Sequence, residues 1–256
     1  MGSKVFAGFD EAVADIQNGA SIAVECWGVT AMAQNLVAAV KRKGVKELTI
    51  ITHNFIPLVF FEEEEVTNLT HLLPQLKKII SPVVGLQRLG AGAFIKEFVD
   101  KGLEVEMTSH GTLASRLYAG AADLGGFYNP VGVGTILEEG KEKRVIDGRE
   151  YIFEKPIKPD YAFIRAHKAD KLGNLVYRGV YRADQPIMAM AARTTISEVD
   201  EIVEIGEIDP EHVVTPSVFV DRIVKVPEGG LGSVARFREM IGKLAEIELL
   251  RKLLFK

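Results

Sequence analysis

The sequence predicts an α/β fold: a mostly parallel open sheet with flanking helices, a β-hairpin insertion and a long C-terminal helix. Three observations carry this. Over the first 120 or so residues, short β-rich runs alternate with short helical ones, which requires crossover connections and hence parallel pairing. From residue 143 the pattern changes to two β-rich runs around Asp147-Gly148, a hairpin signal. The chain closes on "GSVARFREMIGKLAEIELLRKLLFK", with apolar residues every three or four positions. We expect one domain over 1–256, its core at about 5–225 and a helical extension at about 232–256.

The elements follow in order. A first helix is expected over 10–17, closed by Asn18-Gly19, and then the strand "ASIAVECW" (20–27). A second helix over 31–43 has Ala33, Leu36, Val37 and Val40 on one face and ends at Gly44. "ELTIITHN" (47–54) is the next strand. A helix around 73–79, a strand near "PVVGL" and a helix around 93–101 continue the alternation. "GLEVEMTSHGTLASRL" (102–117) then alternates Leu103, Val105 and Met107 against Glu104 and Glu106 before it turns helical, with Leu113 and Leu117 four apart. In the second half, "YAFIRAH" (161–167) reads as a buried strand and "GNLVYRG" (173–179) as its partner. "PIMAMAARTTISEVDEIV" (186–203) reads as a helix followed by a strand. Ser233 is placed to cap the C-terminal helix. The acidic run 62–65 reads as a solvated loop or helix start.

Composition excludes several functions. The net charge of −4 supplies no basic field for nucleic acid. No apolar run approaches the roughly 20 residues of a membrane span, and "MGSKVFAGFDEAV" has no apolar signal-peptide core. The single cysteine, Cys26, rules out an internal disulfide framework and a cysteine-based zinc site. The five histidines, at 53, 71, 110, 167 and 212, show no metal-ligand spacing, so no metal is expected. There is no Gly-x-Ser-x-Gly, no P-loop and no Gly-x-Gly-x-x-Gly. A cytoplasmic protein is expected.

Small and polar residues at strand ends are the chemical signal. In an open α/β sheet, ligands bind outside the carboxyl ends of the strands. Three strands end at Trp27-Gly28, at Thr52-His53-Asn54 and at Ser109-His110-Gly111. The third feeds a helix N-terminus, where the Thr112 and Leu113 amides would favour an anionic oxygen. Gly111 would let another backbone approach. The competing reading is a plain N-cap by Thr108 or Ser109. "AGAADLGGFYNPVGVGT" (119–135) frames Phe127 and Tyr128 with Gly125, Gly126, Gly132 and Gly134, which indicates a tight path beside a ligand or another chain.

These residues carry a resemblance. "LEVEMTSHGTLASRLYAGAADLGGFYNPVGVGT" resembles the run in the first subunit of family I CoA-transferases, the 3-oxoacid CoA-transferase group. That run reads about Glu-Val-Glu-Leu-x-Pro-Gln-Gly-Thr-Leu-Ala-Glu-Arg, then Ala-Gly-Gly-Ala-Gly, then Phe-Tyr-Thr-Pro-x-Gly-x-Gly-Thr. "DGREYIFEKPIKPDYAFIRAHKADKLGNLVYRG" is similar to the second hallmark, including Lys168-Ala169-Asp170 and Gly173-Asn174. "MAMAARTTISEVDEIVEIG" and "TPSVFVDRIV" match the family's later segments, so the resemblance covers about residues 5–225.

The resemblance implies transfer of CoA from an acyl-CoA to a carboxylate, with coenzyme A as a substrate and no permanently bound cofactor. A glutamate attacks the thioester and an enzyme-bound glutamyl-CoA thioester forms, splitting one hard exchange into two easier steps. In the family that glutamate stands in a Ser-Glu-Asn-Gly context on the second, beta subunit, and no Glu-Asn-Gly occurs here. The chain is therefore expected to be half of an αβ or α2β2 enzyme. His110 stands where the family has the glutamine that donates to the thioester oxyanion, and a neutral imidazole is expected there because a helix N-terminus disfavours a nearby cation. The family's Gly-Gly-Phe-Gly becomes Glu25-Cys26-Trp27-Gly28, and its paired Asn-Asn becomes His53-Asn54. Glu25, if buried, needs a partner. Substrate contacts are expected from Glu25, Trp27, Gly28, His53, Asn54, Ser109, Gly111, Phe127 and Tyr128. Changes at three strand ends on one edge read as altered substrate choice. Two further functions fit the same pattern: thioester hydrolysis, with His110 or Glu25 activating water, and a non-catalytic ligand-binding module.

Overall fold

The computed structural model describes residues 3–26, 31–56, 67–85, 92–179 and 182–233, together with 236, 238, 239 and 242. The expected acidic run 62–65 and most of the C-terminal helix lie outside them. Arg236, Arg238, Glu239 and Gly242 are helical, and Ser233 Oγ accepts the Arg236 N–H at 3.2 Å, the expected cap.

The chain begins with α1 (Phe9–Ala12), β1 (Ser21–Val24), α2 (Gln34–Lys43) and β2 (Leu48–Ile51). A 3-10 turn (Leu69–Gln75) leads to β3 (Leu76–Ser81), α3 (Gly92–Asp100), β4 (Glu104–Met107) and α4 (His110–Ala121). Then come β5 (Phe127–Asn129), β6 (Lys143–Ile146), β7 (Arg149–Glu154), β8 (Tyr161–Asp170), β9 (Leu175–Val176), α5 (Gln185–Ala191), β10 (Thr194–Val203) and β11 (Arg222–Lys225). The main sheet runs β11-β10-β8-β1-β2-β3-β4, all parallel, with β9 antiparallel to β8. A second, antiparallel sheet runs β5-β7-β6. Asp147 and Gly148 both have positive φ, 50° and 77°, as a two-residue hairpin turn requires.

Period-two alternation splits the core between the two sheet faces. Ile22, Val24, Ile50 and Phe163 pack with α1, α2 and α3, whereas Ala23, Ile51, Ala162 and Ile164 pack with α4 and α5. All four residues expected on the inner face of α2 are fully buried, and Gly44 closes that helix in the left-handed region at φ 73°.

Three sequence expectations are corrected. The helix expected over 10–17 is helical only at Phe9–Ala12. Side chains from elsewhere take its last carbonyls: Arg222 Nη1 donates to Ala12 O at 2.6 Å and Lys43 Nζ to Ala14 O at 2.7 Å. The helix expected around 73–79 is instead the end of the 3-10 turn and β3. Pro74 interrupts helical bonding, and the ladders to β2 and β4 on either side outweigh the local pattern. The strand expected near "PVVGL" is reduced to one bridge between Val84 and Phe55.

Asp170, which ends β8, shows what the Lys-Ala-Asp…Gly-Asn stretch does. Its Oδ1 accepts the N–H groups of Leu172, Gly173 and Asn174 at 2.9–3.0 Å, and its Oδ2 accepts Asn174 Nδ2 at 2.7 Å. Asn174 Oδ1 then accepts the Ser217 N–H at 3.0 Å. The stretch is a carboxylate-centred turn that ties β8 and β9 to the segment before β11.

Candidate active site

β1, β2, β3 and β4 are neighbours, so their carboxyl ends form one edge. Glu25 follows β1, His53 follows β2, and His110 opens α4 just after β4. His110 Nδ1 lies 3.2 Å from His53 Nδ1, with the rings stacked at 15° and their centroids 5.5 Å apart. On its other side, His53 Nε2 is 2.6 Å from Asp184 Oδ2, at the N-cap of α5.

Glu25 is fully buried and has the partners that burial demands. Oε1 accepts the Cys26 N–H at 2.8 Å and Oε2 accepts the Asp184 N–H at 3.0 Å. Burial pushes its carboxyl up, and the nearby His53 pulls the other way. The Cys26 thiol is pushed up to about 12 by burial and by Glu25, so it stays protonated at neutral pH. Asn54 Nδ2 donates to Cys26 O at 3.1 Å, stitching the ends of β1 and β2 together. The His110 imidazole is held below its ordinary value by burial and then by His53, against an opposing pull from Asp184.

Glu25, His53 and His110 thus share one edge, with Asn54 tying two of its strands. Trp27 and Gly28 lie outside the described residues. Ser109 is committed to capping: its Oγ accepts the Thr112 N–H at 3.1 Å and donates to Thr112 Oγ1 at 2.8 Å. The Thr112 and Leu113 amides, expected to hold an anion, are therefore both used, the second by Ser109 O at 2.9 Å. A Cβ on Gly111 would meet nothing within 4 Å, so no backbone among the described residues approaches there.

Within the glycine-rich segment, Gly126 makes room for its own chain. Gly126, at φ 142°, sits where a Cβ would lie 2.3 Å from the Phe153 ring and 2.7 Å from Glu154 O. Asn129 Nδ2 donates to Thr112 Oγ1 at 3.0 Å, which brings β5 to the first turn of α4. Tyr128, one residue earlier, points to the other face of the small sheet. There it bonds Glu142, lies under Arg144 and packs edge-on against Phe153. Phe127 is half-buried on β5. Neither aromatic is joined by a described contact to the histidine pair.

Asp184 is the residue that sequence reasoning missed. In "RADQPIM" it reads as a helix N-cap ahead of a proline, and that signal conceals its contact with His53, 131 positions away in the chain. The polar atoms of Glu25, His53 and Asp184 lie within 4.8 Å of one another. They answer one another and the backbone as ion-pair and hydrogen-bond partners.

A second charged group anchors α4. Arg116 Nη1 and Lys78 Nζ each lie 2.6 Å from one oxygen of Glu106, and Arg116 Nε donates to Lys155 O at 2.8 Å. Burial pushes the Glu106 carboxyl up, but Lys78 and Arg116 together hold it below its usual 4.5. A depressed carboxylate contributes stability above its unfolded value and loses it as pH falls through the folded one. Wild type should therefore be more stable than Glu106→Gln at pH 7, with the gap closing below about 4.5. Denaturant midpoints at pH 7 and pH 3.5 check this; an equal gap at both would mean that the charge is not what anchors α4.

Comparisons with known proteins identify the family. A family profile described as Coenzyme A transferase matches residues 6–226. The chain is 38% identical over 237 residues to the A subunit of 3-oxoadipate CoA-transferase from Pseudomonas putida, covering 92% of this chain and 99% of that one. It is also 38% identical over 221 residues to the A subunit of a probable succinyl-CoA:3-ketoacid coenzyme A transferase from Bacillus subtilis, covering 86% and 89%. Among solved structures it is similar to an acyl-CoA transferase from E. coli O157:H7 in a thioester complex with CoA. The TM-score is 0.77 at 22% identity; the match covers 91% of this chain but about half, 49%, of that one.

Proposed function

The chain belongs to the coenzyme A transferase family, and from that membership we propose that it is the A subunit of a heteromeric enzyme moving CoA between an acyl-CoA and a carboxylic acid. Attack on a thioester places negative charge on the carbonyl oxygen. A preorganised N–H donor aimed at that oxygen is worth far more in a water-poor site than in water. The observation that carries the reading is His110, neutral and held in the first turn of α4 at the carboxyl edge of the sheet. It supplies the donor where the family has glutamine.

The nucleophile comes from the partner subunit. Glu25 does not replace it, because both of its oxygens are spent on backbone N–H groups in a fully buried position. Exposed apolar residues support a docked partner. Tyr118, Leu124, Val131, Ile136, Val145 and Ile146 are all exposed, on α4, the glycine-rich segment and the small sheet. The assembly is an αβ or α2β2 complex. Among the described residues no helix is long and apolar enough to cross a membrane.

The test is reconstitution. This chain alone, given succinyl-CoA and 3-oxo acids including 3-oxoadipate, should form no new acyl-CoA, and adding the partner subunit should restore transfer. Mass spectrometry of the complex after exposure to succinyl-CoA should find the CoA thioester on the partner. Full transfer by this chain alone, or a CoA adduct on it, would sink the proposal.

A further inference from the structure

The geometry points to His53 as a positioning residue: we propose that it carries the proton shared with His110, held there by Asp184 and Glu25, and thereby fixes His110 as a neutral ring protonated at Nε2. This rests on the reading of His110 as the oxyanion donor, because a donor needs that proton and a neutral imidazole has only one.

The argument is one of proton counting. Two ring nitrogens 3.2 Å apart require one proton between them, since two lone pairs or two N–H groups would repel. Across the His53 ring, Nε2 faces the Asp184 carboxylate at 2.6 Å. At that distance an ionised carboxylate oxygen would repel a bare ring nitrogen, so Nε2 carries a proton. The contacts among the described residues allow two arrangements. If the shared proton belongs to His110, its Nε2 is bare and it presents an acceptor. If it belongs to His53, that ring is an imidazolium and His110 keeps its own proton on Nε2.

The surroundings select the second. His53 is 1% exposed, Glu25 is 0% exposed, and Asp184 touches the ring directly. Both Glu25 oxygens accept N–H groups, an arrangement suited to the carboxylate rather than the acid. A fully buried Glu25 carboxylate and a partly exposed Asp184 carboxylate around a neutral ring leave two negative charges uncompensated, and one cation between them removes much of that cost. Burial and His53 both work against a second proton on His110. The Cys26 thiol, beside Glu25, remains uncharged and alters nothing in this balance. Glutamine at position 110 would need no such support, because an amide N–H has no tautomer to set.

The experiment uses the reconstituted complex with 15N-labelled histidine, its resonances assigned from His110→Gln and His53→Gln complexes. His110 should show a protonated Nε2 and an accepting Nδ1, and His53 should show both nitrogens protonated. With succinyl-CoA as donor, Asp184→Asn should lower kcat about tenfold or more with KM changed less than about twofold, and Asp184→Glu should recover part of the loss. In the His110→Gln complex the same Asp184→Asn change should cost less than about twofold. Nδ1 protonation of wild-type His110 would overturn the inference. So would an equal Asp184→Asn loss in both backgrounds, which marks a structural role. A stoichiometric transition metal retained by the purified complex and lost in His53→Gln would also overturn it. If His110→Ala transfers CoA within twofold of wild type, the donor reading itself falls. A large His110→Ala loss with an inert Asp184→Asn overturns only the role of His53.

Discussion

His110→Ala is expected to slow CoA transfer by about 10²–10³-fold, the usual cost of removing one oxyanion donor. The loss should fall on kcat, because the donor meets full negative charge only in the transition state, and acyl-CoA binding should change little. His110→Gln should restore much of the rate, since an amide N–H can donate from the same place at the start of α4. The two replacements also separate transfer from hydrolysis. If His110 acted as a base on water, glutamine would abolish hydrolysis while leaving acyl-enzyme formation measurable. Single-turnover kinetics of the reconstituted complex make the measurement. A His110→Ala complex within twofold of wild type would show that the ring merely packs at the start of α4.

Gly120→Ala is expected to be the most damaging small substitution in the described fold. A Cβ at Gly120 would lie 1.9 Å from Ile157 O and 2.8 Å from Ile157 C, both backbone atoms. The chain there cannot easily yield, because the Ile157 N–H bonds Arg116 O at 2.9 Å and the Ile157 side chain is buried. Either α4 moves off the segment that returns from the small sheet to β8, or that segment loses its bond to α4. We expect a loss of about 3 kcal/mol or more, an overpacking effect in a closely packed core. For a chain of this size that corresponds to a melting temperature lower by roughly 6–12 °C. Gly111→Ala is the control: it lies on the same helix, clear of the other described residues, and its melting temperature should hardly move. Equal effects at the two glycines would refute the packing argument.

The two glycines also show where sequence reading stops. Gly111 follows His110 in the most conspicuous stretch of the chain, and its position there suggests a close backbone approach. The close approach is at Gly120, nine residues later on the same helix. A helix presents different faces to different neighbours, and nothing local says which glycine meets the segment returning from β7 to β8. Ser109 behaves as the local rule allows, as an N-cap, and that cap consumes the two amides otherwise suited to an anion. The glycines around Phe127 and Tyr128 point to a tight path, and at Gly126 the tight partner is the chain's own β7.

Local chemistry by itself determined the alternation of strands and helices outside the stretch 67–85, the Asp147-Gly148 hairpin, the buried face of α2 with its Gly44 stop, and the delivery of His110 by a strand to a helix start. Each depends on interactions within a few residues, through side-chain period, turn dihedrals and cap geometry, so the order of residues suffices. The order of residues also revealed that the family's glutamate context is missing. Only the tertiary structure decided that β3 is a strand despite its lysines, because two neighbouring ladders outweigh local preference. Only it decided that Glu25 is buried with both oxygens satisfied, and that Asp184 reaches His53. Those contacts join residues up to 159 positions apart, and their physical cause is the parallel sheet itself. Crossover connections return the seven parallel strands of the main sheet in the same direction, so residues far apart in sequence meet on one edge, where burial forces charged groups to find one another.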